Sequence, residues 1–299
     1  MSAGTRLPGT PEPTHWWTGT DGLRLAGDCW GDPQGPLVIL QHGGGQTRHA
    51  WKGTGETLAA AGFFVVAFDA RGHGDSHWDA HGRYGWDLMA QDLRCVVEAL
   101  GGRRPVLVGA SMGGLTSLTA IGEGLVDASA LVLVDVTPTL DKSGVANIVA
   151  FMRQKPEGFS TLEEVAHAIA AYQPHRRPPR NLDGLAKNVR LGSDGRYKWH
   201  WDPRFLDNDR SHAERESDLV TYATRLSIPT MLIRGGLSDV VSQEGAEAFL
   251  AMCTHSEYVN LPDAAHMVAG DRNDAFGDAM IEFLMRVAPA RAGPHAQIA

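Results

Sequence analysis

Two spacings of apolar residues divide this chain. Apolar runs recur at 36–41, 63–68, 106–110 and 130–134, and runs broken by a few polar residues follow at 228–234 and 257–261. Short runs that are apolar at odd and even positions alike predict strands buried on both faces of a sheet. Helical spacing lies between them. Residues 50–61 stop at Gly62. Residues 86–100 carry Leu88, Met89, Leu93, Val96, Val97 and Leu100 on one stripe and stop at Gly101-Gly102. A closing amphipathic helix is predicted over 274–287. Strands alternating with helices predict an α/β fold, a mostly parallel sheet with helices on both faces. Near the start, segments 14–18 and 23–30 flank Gly19-Thr-Asp-Gly22, which predicts an antiparallel hairpin.

The alternation stops between 137 and 225. No convincing strand is read there, only helical pieces at 145–153, 162–171 and 186–191, a basic proline-rich stretch at 175–180, and Tyr197-Lys-Trp-His-Trp-Asp-Pro203. This segment reads as a helical cap inserted over the strand ends. It divides a core of residues 1–136 and 226–299, of which 1–13 form a loose arm rich in Gly, Pro and Thr. The cap should line a substrate pocket. Phe151, Met152, Tyr172, Trp199 and Trp201 are its bulky residues, and Trp78 and Trp86 approach from the core side. In an extended segment Trp199 and Trp201 point the same way.

Composition narrows the classes. The 299 residues carry a net charge of −8 and contain no long basic run, which argues against nucleic acid as a partner. No apolar run is long enough to span a bilayer. The first residues lack the apolar core of a signal peptide. Cysteines 29, 95 and 253 are odd in number and widely spaced, fitting neither a disulfide framework nor a zinc site. These features predict a cytoplasmic monomer or homodimer. His73, His77 and His81 recur every four residues, but Gly72, Gly74 and Gly82 break any helix that would gather them as metal ligands, so a loop is expected.

The chemistry concentrates at strand ends. Gly109-Ala-Ser-Met-Gly113 follows the run at 106–108 and has the G-x-S-x-G pattern of a nucleophile elbow. A serine hydroxyl needs a base and a group to orient that base. His266, just after the last strand, is the expected base. Asp239, after the preceding strand, is the expected orienting acid. Asp135, at the end of the run 130–134, is the alternative acid. The oxyanion donors are expected to be the backbone N–H of Met112 and that of Gly44 in His42-Gly-Gly-Gly-Gln46, with Gly45 as the alternative. Arg48, close to that loop, is a candidate to hold a carboxylate or other polar end of a substrate.

Taken together, His42-Gly43, Asp69-Ala-Arg-Gly-His-Gly-Asp-Ser76, Gly109-Ala-Ser-Met-Gly-Gly114, Gly235-Gly-Leu-Ser-Asp239 and Ala264-Ala-His266 resemble the α/β-hydrolase superfamily over roughly residues 14–287. The resemblance implies the α/β-hydrolase fold, with an eight-stranded sheet and a cap inserted after the sixth strand. It also implies serine, aspartate and histidine roles for Ser111, Asp239 and His266. Epoxide hydrolases and haloalkane dehalogenases of similar layout use an aspartate at the elbow, and Ser111 separates this chain from them. The expectation is a carboxylic-ester hydrolase that works through an acyl-enzyme on a small molecule, without metal or organic cofactor. Lactonases, carbon–carbon bond hydrolases, acyltransferases and perhydrolases share the triad. A non-catalytic ligand-binding protein of this fold is the alternative from another class.

Overall fold

Each of these apolar runs forms a strand. The computed structural model describes residues 3–172, 182–207, 212–266 and 273–289. Its main sheet holds β1 (His15–Thr18), β2 (Arg24–Trp30), β3 (Leu37–Gln41), β4 (Phe64–Phe68), β5 (Val106–Ala110), β6 (Ala130–Val134), β9 (Thr230–Gly235) and β10 (Glu257–Leu261). The order across the sheet is β1-β2-β4-β3-β5-β6-β9-β10. The β1–β2 and β2–β4 pairs are antiparallel and the others parallel.

The period of two explains why the central runs must be wholly apolar. Leu37 and Ile39 of β3, Leu107 of β5, and Leu131 and Leu133 of β6 join one core. Val38 and Leu40, Val106 and Val108, and Val132 and Val134 join the other. The first core is covered by α2 (Trp86–Ala99), α3 (Met112–Gly122), α6 (His212–Thr224) and α7 (Gln243–Met252), the second by α1 (Lys52–Ala60) and α8 (Asn273–Val287). The parallel strands share one direction, so their carboxyl ends gather at one edge of the sheet, where open α/β sheets bind ligands.

Between β6 and β9 the chain leaves the sheet. It forms α4 (Lys142–Arg153), α5 (Leu162–Tyr172) and a small antiparallel hairpin of β7 (Val189–Leu191) and β8 (Tyr197–Trp199). This corrects the reading of 186–191 as helix and of the insertion as free of strands. A 3-10 turn covers Asp183–Asn188, and the chain extends from Val189. Three-residue strands are too short to show a period. The basic stretch 175–180 lies outside the described residues. α6 has a different role from α4 and α5. Its Leu219 and Ala223 enter the first core, and a side chain on Gly122 of α3 would overlap the Tyr222 ring. It is the crossover helix that returns the chain to β9.

The amino-terminal segment, expected to be loose, is tied down. Thr5 and Leu191 exchange backbone hydrogen bonds of 2.9 and 2.8 Å, adding a bridge to the small hairpin. Leu7 packs on the aromatic cluster of the insertion. Arg6 lies 3.7 Å from the Asp75 carboxylate. Arg6 and Leu7 each meet a specific partner, which the composition of the segment alone did not reveal.

Candidate active site

Ser111 follows β5 in a conformation that side chains avoid, φ 47° and ψ −116°. Steric crowding sets the glycines around it. A Cβ on Gly109 would overlap the Gly113 carbonyl, and one on Gly113 would lie 2.5 Å from the Gln41 carbonyl oxygen. The strain is held by neighbours, since Ser111 N–H donates to Val134 O at 3.1 Å. α3 begins at Met112. The first amides of a helix have no acceptor within it. Among the described residues, the Met112 N–H has no protein acceptor.

The partner of His266 is Asp135. His266 Nδ1 donates to Asp135 Oδ2 at 2.7 Å, which leaves Nε2 as the second ring nitrogen. Asp135 follows β6 with φ 50° and is fully buried. Its Oδ1 accepts from Gly235 N–H at 2.8 Å, and its Oδ2 also accepts from Ser238 Oγ at 2.5 Å. Ser238 Oγ in turn accepts from the amides of Val240 and Val241 at 3.1 and 3.2 Å. Such donors fix the orientation of the carboxylate.

Asp239, expected in this position, is exposed, and its carboxylate accepts from Asn147 Nδ2 of α4 at 3.3 Å. The reason is local. The loop after β9 places Ser238 over Asp135, so its neighbour Asp239 faces the insertion. Nor does Asp239 cap α7, because Ser242 does so through Gly245 N–H.

The loop after β3 passes beside the serine. A Cβ on Gly43 would lie 3.3 Å from Ser111 Cβ. The Gly43 N–H is occupied by Gln46 Oε1 at 2.8 Å, and Gln46 N–H closes the turn on Gly43 O at 3.1 Å. Among the described residues, the Gly44 N–H has no protein acceptor. His42 is buried behind the loop. Its Nδ1 donates to Gly43 O at 2.8 Å and its Nε2 accepts from Ala70 N–H at 3.0 Å. Burial lowers its pKa and keeps it neutral.

Ser111, Met112, Gly44, Gly45 and His266 line one cavity of about 290 Å³. Its other walls are mostly apolar and come largely from the insertion. Phe151, Met152, Tyr172, Trp199 and Trp201 all reach it, as does Trp86 from α2. Trp199 and Trp201 stack at 4.9 Å and 11°, and Phe151 stacks on Tyr172 at 4.2 Å. Phe205, Trp51 and Ile148 also line the cavity and were not foreseen. A single aromatic or aliphatic residue in sequence carries no sign of which face of its element meets a cavity. Polar residues such as Gln46 and Asn188 also line it. Among the described lining residues there is no Asp, Glu, Lys or Arg.

Arg48 does not serve this cavity. Its side chain is fully buried and meets Asp69 at 2.6 Å, Asp28 at 2.9 Å and Asp75 at 2.9 Å. Burial opposes its charge, but the three carboxylates outweigh that cost and raise its pKa. Arg190 of β7 joins the same network through Asp75 at 2.8 Å. His73, His77 and His81 face different surroundings. His73 packs between His42 and His200, His77 lies edge-on to Trp16, and His81 is exposed. Among the described residues, no group of three or more His, Cys, Asp or Glu is placed to hold a metal ion.

The chain resembles known proteins over most of its length. A family profile for the alpha/beta hydrolase fold matches residues 36–272. The chain belongs to the α/β-hydrolase family. It is 31% identical over 255 residues to an esterase of Mycobacterium tuberculosis, covering 81% of this chain and 80% of the esterase. It is 28% identical over 262 residues to a 3-hydroxybutyrate-oligomer hydrolase of Cupriavidus necator, covering 81% of this chain and 87% of that hydrolase. The crystal structure of an α/β hydrolase from Novosphingobium aromaticivorans superposes with a TM-score of 0.74 at 25% identity, covering 91% of this chain and 98% of the other. Among the described residues, no helix is long and apolar enough to cross a membrane.

Proposed function

We propose that this α/β hydrolase cleaves carboxylic esters through an acyl-enzyme on Ser111. The observation that carries the reading is the 2.7 Å hydrogen bond from His266 Nδ1 to the buried Asp135, with His266 and the strained Ser111 lining one cavity. Asp135 fixes the tautomer of His266 and stabilises its protonated form. His266 Nε2 takes the Ser111 proton as Oγ attacks the ester carbonyl. It returns that proton to the leaving alcohol, then activates the water that releases the acid. The N–H groups of Met112 and Gly44 bind the oxyanion. Both lack a protein acceptor among the described residues, whereas the Gly43 N–H is already engaged.

The elements between β6 and the 3-10 turn at Pro203–Leu206 act as the cap that supplies the substrate wall. A mostly apolar wall favours a neutral ester with an apolar acyl or alkyl group. Esterase and hydrolase relatives support the ester bond as the target. The free cysteines support a cytoplasmic setting.

A fluorophosphonate probe and a panel of p-nitrophenyl esters test the reading. Labelling of Ser111 with turnover that Ser111→Ala abolishes is the expected result. A wild-type protein that neither reacts with the probe nor turns over any ester overturns it.

A further inference from the structure

The segment Trp199-His200-Trp201 uses its two faces for different tasks. Trp199 and Trp201 stack on each other and line the cavity. His200, between them, faces the loops of the core and is fully buried. Its Nδ1 accepts the Gly74 N–H at 2.8 Å, so the ring proton sits on Nε2. Nε2 then donates to the Gly45 carbonyl at 3.2 Å. Burial, reinforced by His73 and Arg190 nearby, holds its pKa well below the usual histidine range. The ring is therefore neutral and its two nitrogens keep these opposite roles.

Gly45 belongs to the turn that presents the Gly44 N–H. Within the loop, Gln46 anchors that turn at Gly43, through Oε1 and through its own amide. The middle of the turn bends through Gly45, at φ 70°, and is held by a contact from the insertion. We propose that His200 is a positioning residue. By holding the Gly45 carbonyl it aims the Gly44 N–H at the oxygen of a reacting ester, and it ties that aim to the segment that walls the substrate. The inference rests on the Ser111 ester-hydrolase reading. A donor aimed at charge that develops during reaction acts on kcat rather than KM.

Two amide variants separate the two nitrogens. Glutamine at 200 brings an amide to the place of Nε2, and asparagine to that of Nδ1. With full-length protein and p-nitrophenyl butyrate, His200→Asn should lower kcat by about tenfold or more with KM nearly unchanged. His200→Gln should stay within about threefold of wild type, as expected when the Gly45 hydrogen bond is retained. Affinity for an alkyl boronic acid, a mimic of the tetrahedral adduct, should follow kcat. Equal loss of kcat and boronate affinity in both variants, in step with their melting temperatures, overturns the proposal, as does wild-type kcat in His200→Asn. Where His200→Asn melts below the assay temperature, His200→Gln decides: wild-type boronate affinity supports the proposal and a loss of the same order as kcat overturns it. A wild type that is not labelled at Ser111 and turns over no ester overturns the parent reading, whereas a labelled wild type with indifferent His200 variants overturns only this one.

Discussion

His266 Nδ1 and Asp135 Oδ2 lie 2.7 Å apart, joining the turn after β10 to the end of β6. The carboxylate bonded to His266 thus stands one strand closer to Ser111 than Asp239 does, since β6 pairs with β5 and β9 lies beyond it. A buried carboxylate bonded to the imidazole is the group whose removal leaves the wrong tautomer. Asp135→Asn is expected to lower kcat by roughly 10³- to 10⁴-fold, while Asp239→Asn should leave kcat within about threefold because its carboxylate is exposed. Steady-state kinetics of the two variants on one ester check this. Loss of activity in Asp239→Asn alone would reverse the assignment.

The strands and the serine were legible because their signals are local. An unbroken apolar run leaves little alternative to a buried strand, and the glycines at 109 and 113 are forced by contacts within a few residues of Ser111 or with the adjacent β3. The acid was not decided by sequence because Asp135 and Asp239 both follow strands in the expected order. What separates them is Ser238, whose hydroxyl occupies the space over Asp135 and turns its neighbour outward. The bridge from Thr5 to Leu191 joins residues 186 positions apart, across all of β1–β6, and its pattern leaves no local trace. The position of Arg48 near the glycine loop suggested a ligand, but its three carboxylate partners come from β2 and from the loop after β4, distant in sequence.

Arg48→Ala should act on stability rather than on substrate affinity. It would leave Asp69 buried without its closest cation and take the Arg48 contact from Asp28, while Asp75 keeps Arg190 at 2.8 Å. Removing one partner of a buried ion pair costs about 3–5 kcal/mol. Urea unfolding should register that loss, with KM for neutral and acidic esters unchanged in whatever protein remains folded. A selective rise in KM for acidic esters, at wild-type stability, would contradict the buried network.

Acid should destabilise the fold well above the carboxylate range. Burial pushes His73 down to about 3 in the folded protein, whereas its unfolded value is near 6.5. Between those values the unfolded chain binds the extra proton, so stability falls as pH falls, by up to about 1.4 kcal/mol per pH unit for each such group. Above 6.5 neither state is protonated and His73 adds no slope. His42 and His200, lowered by burial as well, act with the same sign. Unfolding free energies at pH 7 and pH 5 should therefore differ more in wild type than in His73→Asn, by about one proton's worth of linkage. Equal differences would mean that His73 is protonated in the fold.

Deleting residues 1–12 tests the amino-terminal segment as a strap on the small hairpin. The deletion removes the Thr5–Leu191 bridge, the Arg6–Asp75 contact, the packing of Leu7 and the Pro11 carbonyl that accepts from Arg48. Each lost kcal/mol lowers the melting temperature by roughly 2–4 °C in a domain somewhat smaller than this one. A drop of several degrees is expected, with faster hydrogen exchange at Val189–Leu191 and Tyr197–Trp199 than in the main sheet. Unchanged exchange in the hairpin would show that the segment rests on the insertion without holding it.

In the proposed mechanism Ser238 acts on the reaction through Asp135. Its hydroxyl donates to the same Oδ2 that receives His266 Nδ1, and the Val240 and Val241 amides hold that hydroxyl in place. Without it, Asp135 keeps Gly235 N–H on Oδ1, so the carboxylate remains anchored but is free to pivot about that contact. Hydrogen bonds to a charged group contribute about 1.5–3 kcal/mol. Only part of that reaches the transition state, so Ser238→Ala should lower kcat by roughly tenfold with KM little changed. Ser238→Thr restores the hydroxyl and should recover most of the rate. Equal rates in wild type and Ser238→Ala would show that the Gly235 amide and the walls around Asp135 suffice to aim the carboxylate at His266.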